Sequence, residues 1–291
     1  MTLEKKQAYL LCLFSVALLG CNAIFGKTIM LSPEHLVLGR CLIAGSVIGI
    51  ILKLKKEKIR AKSKTNFFQL CGLALLMGIH WISMFKALQV SSVAISLIAI
   101  FTFPMMTTLL EPIILKKRFK VRYLFSALLV LIGIGLLDPS LDLNDNTSQG
   151  ILWGLISALS FALRNIYTRK SIQKISASKL MFYQCILVSF CLLPTLATWP
   201  EKVALNDWIQ LIIFGVIFTA VAHILYSKSL SRLSASFVGI LSCIQPLYGS
   251  ILAYFILNEI PQSKTIYGGS LILSVVVFHS IRLYIKQKSL Q

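Results

Sequence analysis

Eight side chains set within long apolar runs could recognise a polar solute: Asn22, His80, Trp81, Asn165, His223, Tyr226, Gln245 and Tyr248. They offer amide, indole, imidazole and phenol groups, a mixture of donors and acceptors that includes two rings titrating near neutral pH. That set suits non-covalent binding and, through His80 and His223, the carriage of a proton. It does not suit catalysis, because the chain has no nucleophile–base order, metal-ligand spacing or glycine-rich phosphate loop. No cofactor and no metal are expected.

Three ions lie in the same apolar runs, where each charge costs roughly 2.5–3.5 kcal/mol on insertion scales and so needs a partner or water. Arg40, about six residues inside the second run, either fixes packing by pairing with another helix or its carbonyls, or binds an anion. Glu111, beside Pro112, is either an interfacial carboxylate near Lys116 and Arg118 or a proton acceptor and gate partner to Arg164. Arg164 lies close enough to the end of its run to snorkel toward water.

Spacing groups these residues. Thr219, His223 and Tyr226, four and three apart, share one helix face. An offset of about 142 residues sets Trp81 against His223, brings Asn22 within one residue of Asn165, and sets Pro104 against Pro246. It also matches Lys86, Leu88, Ser92, Ile98 and Leu110 with Lys228, Leu230, Ser234, Ile240 and Leu252. The chain therefore reads as a duplicated unit. Both prolines fall mid-run, where the missing N–H breaks the helical ladder and the freed groups must face protein or a cavity rather than lipid. Ser242, Gln245 and Tyr248 around Pro246 oppose Ile100, Phe103 and Met106 around Pro104. One wall of such a cavity would be aromatic and apolar and the other hydrogen-bonding, which suits a small zwitterion or amphipathic metabolite.

The elements that must position them are membrane helices. The 291 residues are 57% hydrophobic and 13% charged, with mean hydropathy +0.81, which excludes an ordinary soluble domain. Apolar runs of the length an α-helix needs to cross about 30 Å of hydrocarbon fall at 7–30, 34–54, 67–88, 91–115 and 121–137, then at 149–170, 177–199, 206–230, 234–257 and 264–285. The expected fold is all-α and polytopic, ten transmembrane helices in two five-helix repeats, residues 1–137 and 149–291, joined by a polar loop at 138–148. Small residues, among them Ser92, Ser96 and Ala99, and Ser270 with Ser274, would let helices approach closely. The seven cysteines sit in apolar runs and read as small buried hydrophobes.

The formal net charge of +19 would suggest nucleic acid in a soluble protein, but no reading module accompanies it. The bases alternate instead by connection. Lys5 and Lys6, Lys53 to Lys64, Lys116 to Arg122, Arg169 to Lys179, Lys228 with Arg232, and Arg282 to Lys288 lie on one side; Glu34, Asp138, Asp142, Asp145, Glu201, Asp207 and Glu259 lie on the other. The positive-inside rule puts both termini in the cytoplasm and makes the first run an uncleaved span. With an odd number of spans each, the repeats are inverted copies, an arrangement that can open one central site to each face in turn.

Asn22 to Lys27 (NAIFGK), Arg40, the run from Ala87 through Ser91-Ser92-Val93-Ala94, the paired mid-span prolines, and Leu257-Asn258-Glu259 resemble the drug/metabolite transporter superfamily, EamA type, over essentially the whole chain. The resemblance implies a ten-helix bundle with a cavity between its halves, and a substrate class of small metabolites, often amino acids or related polar solutes, frequently exported. The chain departs from it at Lys116-Lys117-Arg118, where a Gly-Glu is common, while the second half keeps Asn258-Glu259. The expected protein is thus a secondary transporter of the inner (plasma) membrane, monomeric or homodimeric. Its partners are a small-molecule substrate, the lipid bilayer and a proton or counter-substrate. The eight polar residues line its site and Pro104 and Pro246 serve its gating. A membrane-embedded enzyme or a channel-like protein is the alternative.

Overall fold

The structure is a computed structural model that describes residues 3–57, 64–116, 119, 121–137, 142, 144–171, 175–233 and 235–288. The expected loop residues 138–141 and 143, the bases Lys58, Arg60, Lys62, Lys117, Arg118, Lys120 and Lys174, and Ser234 lie outside these described residues. Every regular element among them is helical. In chain order these are α1 (Leu3–Gly20), α2 (Asn22–Thr28), α3 (Pro33–Leu54), α4 (Lys64–Val90), α5 (Val93–Ile100), α6 (Phe103–Ile114), α7 (Arg122–Leu137) and α8 (Asn146–Ser171). They continue as α9 (Ala177–Leu192), α10 (Leu205–Ile213), α11 (Ala222–Leu230), α12 (Ala235–Ser242), α13 (Gln245–Leu257) and α14 (Ser263–Lys288). A 3-10 turn (Leu193–Thr198) follows α9, and a π-helical segment (Phe214–Val221) joins α10 to α11.

Among the described residues seven helical stretches are long and apolar enough to cross a membrane, while Leu124–Leu137, Gln245–Leu257 and Ser263–Phe278 are shorter apolar helices. Their surroundings agree with lipid as solvent. On α7 alone Leu124, Phe125, Leu128, Leu131 and Leu136 are exposed, an outward apolar face that water would not tolerate at this extent.

Local chemistry sets the breaks. Ser32 and Ser92 accept backbone N–H groups from His35 and Ile95 and so cap α3 and α5. The fourth stretch is interrupted at Phe101 and Thr102: Pro104 enters the first turn of α6, and the Thr102 hydroxyl turns back to donate to Ala99 O at 2.7 Å. The chain does the same between α12 and α13, at Cys243 and Ile244, with Pro246 in the first turn of α13. One interruption has no proline. At Cys21 the first stretch makes a tight turn, with Cys21 N–H donating to Leu18 O at 3.1 Å, and Asn22 then opens α2.

The principal helix pairs are α4 with both α8 and α9, α7 with α14, α3 with α9, α1 with α11, and α8 with both α5 and α6. Small residues set two of these crossings. A Cβ on Gly154 of α8 would stand 2.6 Å from Ala99 Cβ and 3.4 Å from Ser96 O on α5; one on Gly268 of α14 would stand 2.8 Å from the Gly133 carbonyl oxygen on α7. Ser270 and Ser274, expected at such a contact, are instead exposed on α14. All seven cysteines are free; Cys12, Cys41, Cys185 and Cys243 are buried as expected, whereas Cys191 is exposed.

Candidate functional site

The breaks surround a central cavity of about 50 Å³. Residues from beside each break line it: Leu19, Asn22 and Ala23 around the α1–α2 break, Ile100, Phe101 and Phe103 around the α5–α6 break, Ser242 and Gln245 around the α12–α13 break. His80, Trp81, Met84 and Leu88 of α4, Leu97 of α5, Phe161 of α8, and His223 and Tyr226 of α11 complete it. At about 10–15 Å³ of such volume per water, the space holds a few water molecules and no metabolite. This conformation is therefore closed around its centre.

One wall is aromatic. Phe103 meets Phe161 at 4.9 Å, Phe161 meets Tyr226 at 5.8 Å, and the His80 ring stacks on Phe161 at 4.3 Å. His80 is also held from behind: its Nδ1 lies 2.8 Å from Ser157 Oγ and 3.1 Å from Ser157 O. That makes it an interhelical tie between α4 and α8 as well as a lining residue. The lining also carries unpartnered polar atoms. Asn22 Oδ1, Trp81 Nε1 and both ring nitrogens of His223 are buried without a hydrogen-bond partner among the described residues, and Trp81 meets His223 edge-on at 5.3 Å.

Six of the eight polar residues expected at the site, Asn22, His80, Trp81, His223, Tyr226 and Gln245, are thus brought together. Two are not. Asn165 lies behind the wall, where its Nδ2 donates to Tyr226 Oη at 3.4 Å. Tyr248 turns toward α1, its hydroxyl donating to Ala17 O at 2.9 Å and to Val16 O; it packs against Gly20, where any Cβ would overlap the phenol. The prolines also sit off the cavity. Pro104 packs near Gly239, and Pro246 lines a separate space of about 220 Å³ with Ala94, Ile98 and Gly269. Each proline stops a helix and thereby presents its neighbours, Phe103 and Gln245, to the centre.

Thr219 leaves the expected face as well. In the π-helical segment its hydroxyl donates to Phe214 O, five residues back, at 2.9 Å, and it accepts the Arg40 Nε–H at 2.9 Å. Arg40 is fully buried, its guanidinium carbon 4.6 Å from the Trp81 ring centroid and 4.3 Å from that of Phe214.

Arg164 does not snorkel. It is 0% exposed, because three acceptors from α8, α9 and α11 hold it inside: Gln184 Oε1 at 2.9 Å, Ser227 Oγ at 3.3 Å and Asn165 Oδ1 at 3.3 Å. None of these acceptors is Glu111, which is half-buried on α6. Removing the best acceptor leaves a buried charge short of a bond. Gln184→Leu is expected to lower stability by about 2–3 kcal/mol in thermal denaturation of the detergent-solubilised protein. Gln184→Glu, which keeps an acceptor and adds a counter-charge, should hold the midpoint. An unchanged midpoint in Gln184→Leu would remove Arg164 as a structural tie.

A polar cluster sits at the end of the bundle that carries few bases. Glu259 Oε1 lies 3.1 Å from Lys27 Nζ, and Glu259 Oε2 accepts the Val93 N–H at 2.7 Å. Asn258, in the left-handed conformation at φ 56°, ends α13 and swings Glu259 into this place. At the basic end Arg232 pairs with Glu4 at 3.2 Å. The sequence contained Lys27 and Glu259 as motif residues without a signal that they meet.

A model of the EamA-like transporter family matches residues 6–137 and again residues 148–281. The chain is 24% identical over 254 residues to the uncharacterized transporter YxxF of Bacillus subtilis (strain 168), covering 86% of this chain and 81% of that protein. It is 26% identical over 228 residues to the S-adenosylmethionine uptake transporter of Rickettsia prowazekii (strain Madrid E), covering 75% and 72%. A solved crystal structure superposes with a TM-score of 0.68 at 16% identity, over 94% of this chain and 97% of the other, a likeness of fold alone.

Proposed function

Because the chain belongs to the EamA-like transporter family, and is on that ground an integral membrane transporter rather than an enzyme, we propose that it is a secondary carrier that moves a small polar metabolite by alternating access. The site is the central cavity, with Asn22, His80, Trp81, His223, Tyr226 and Gln245 as its polar lining. One observation carries this reading: a small, mainly apolar space with a few polar side chains in its lining sits where three interrupted stretches meet, too small for a solute in this state and therefore in need of a conformational change to admit one. Irregular backbone at membrane depth is stable where it lines such a space.

The proposed architecture is ten spans in two inverted repeats, residues 1–137 and 149–291, with residues 138–148 between them and both termini cytoplasmic. The pairing of helices supports it. The first and third spans of one half (α1, α4) pack on the third and first of the other (α11, α8), second on second (α3, α9), and fifth on fifth (α7, α14). Such reciprocity is what a two-fold axis between halves produces. The membrane is the inner (plasma) membrane, and a proton, with His80 or His223 as its carrier, or a counter-substrate is the coupled species.

Export, expected from the resemblance, gains no support from the Rickettsia prowazekii relative, which is named for uptake. A carrier without its own energy source runs in the direction that the gradients set. The test is counterflow in proteoliposomes of the purified full chain, screened with amino acids and other small metabolites. Exchange that saturates with external solute and is accelerated by internal solute is expected. Flux that rises linearly without counterflow would identify a channel and overturn the carrier.

A further inference from the structure

We infer that the substrate of this site bears an oxyanion, a carboxylate or phosphate-class group, and that Arg40 receives it; the inference rests on the carrier reading above. It starts from a mismatch between donors and acceptors. Arg40 is fully buried on α3, and only its Nε–H is used, on Thr219 Oγ1. Its terminal nitrogens Nη1 and Nη2 have no hydrogen-bond partner among the described residues. The described ion pairs, Lys27–Glu259 and Arg232–Glu4, engage neither buried arginine. Next to Arg40, Trp81 Nε1 and the His223 ring nitrogens are also buried and unpartnered, and both residues line the cavity. Against these donors the cavity lining offers Asn22 Oδ1 and one nitrogen of a neutral His223 as unpartnered acceptors.

Aromatic rings do not cure the mismatch. Trp81, Phe85 and Phe214 lie 4.6, 5.3 and 4.3 Å from the guanidinium carbon, and their faces stabilise a cation. They cannot take the in-plane N–H bonds, which a carboxylate or phosphate accepts in pairs. Arg164 gives the internal comparison: equally buried, it has Gln184, Ser227 and Asn165 as acceptors for both terminal nitrogens, the pair that Arg40 leaves unused, and only its Nε is without a partner among the described residues. A buried charge left without its bonds is costly, and an oxyanion delivered to Arg40 supplies both bonds and counter-charge. Trp81 lines the cavity on one side and touches Arg40 on the other, so a swing of the indole connects the two.

The experiment uses matched probes on the full chain in proteoliposomes: an amino acid, its carboxamide, the amine lacking the carboxyl, and a phosphate ester of similar size. Counterflow and ligand-induced thermal shift are read for each. Saturable exchange is expected from the oxyanion members, with roughly 100-fold weaker interaction once the carboxylate becomes a carboxamide. A carboxylate-only or phosphate-only response names the source. Arg40→Gln should abolish the preference, and Arg40→Lys, which keeps the charge but not the paired geometry, should lose about 10-fold. The carboxamide comparison uses the unaltered protein, so it stands whether or not Arg40→Gln folds. Carboxamide or amine exchanging as well as the oxyanions, or an Arg40→Gln variant with unchanged preference, overturns this inference and leaves the carrier standing. No saturable exchange from any class overturns the carrier and the inference with it.

Discussion

Trp81→Ala is expected to abolish saturable exchange, a loss of about 100-fold or more, while the protein still inserts in the membrane. The indole is 0% exposed and does three things at once: it lines the cavity, meets His223 edge-on, and covers the Arg40 guanidinium. Truncation removes an unpartnered donor from the wall and opens a void where the conformational change must be guided. Loss of a buried aromatic also costs about 3–5 kcal/mol of stability, so activity alone would not separate a site residue from a packing residue. Trp81→Phe makes the separation, because it keeps a ring over Arg40 and removes the N–H. For that variant the thermal midpoint should stay near that of the parent while exchange falls about 10-fold, the worth of one hydrogen bond made to a charged solute. Full exchange in both variants would take Trp81 out of the site.

Glu259→Gln is expected to loosen the end of the bundle that carries few bases. The carboxylate ties three segments, α2 through Lys27, the start of α5 through Val93, and its own loop after α13. An acceptor at a helix N-terminus is favourable in itself, and at α5 it is charge-assisted. The glutamine keeps an oxygen for the Val93 N–H but loses the attraction to Lys27. The pair is about a quarter exposed on either side (22% and 24%), so solvent screening holds the effect to about 1 kcal/mol. That shifts the balance between closed and open at this end about 5-fold. The readout is the rate at which a membrane-impermeant maleimide labels a cysteine placed in the cavity wall by Leu97→Cys, with the native cysteines replaced. Faster labelling from that side is expected in Glu259→Gln and in Lys27→Gln. In the double variant the two effects should not add, because both remove one interaction. Labelling at the parental rate would mean that the cluster is a static tie and no gate.

The lengths of the apolar runs, their helical character, the two proline interruptions and the membership in a transporter family were all present in the order of residues. These properties are local or additive: a chain in hydrocarbon must close its own backbone hydrogen bonds, so an apolar run of sufficient length is a helix wherever it lies. Pro104 and Pro246 remove a donor from the backbone that contains them, whatever surrounds it. Polar side chains obey no such rule, since their partners come from other helices. Arg164 reads as a snorkelling residue until Gln184 and Ser227, 20 and 63 residues away, arrive as acceptors. Tyr248 reads as a lining residue until Gly20, with no Cβ to exclude it, lets the phenol reach carbonyls on α1. The turn at Cys21 and the π-helical segment at Thr219 carry no proline, so nothing in the sequence singled them out, yet they set which face Asn22, His223 and Arg40 present. The sequence by itself determined that this chain is a bundle of interrupted membrane helices. Which of its buried polar groups are satisfied, and which are left for a solute, was decided only when the helices packed.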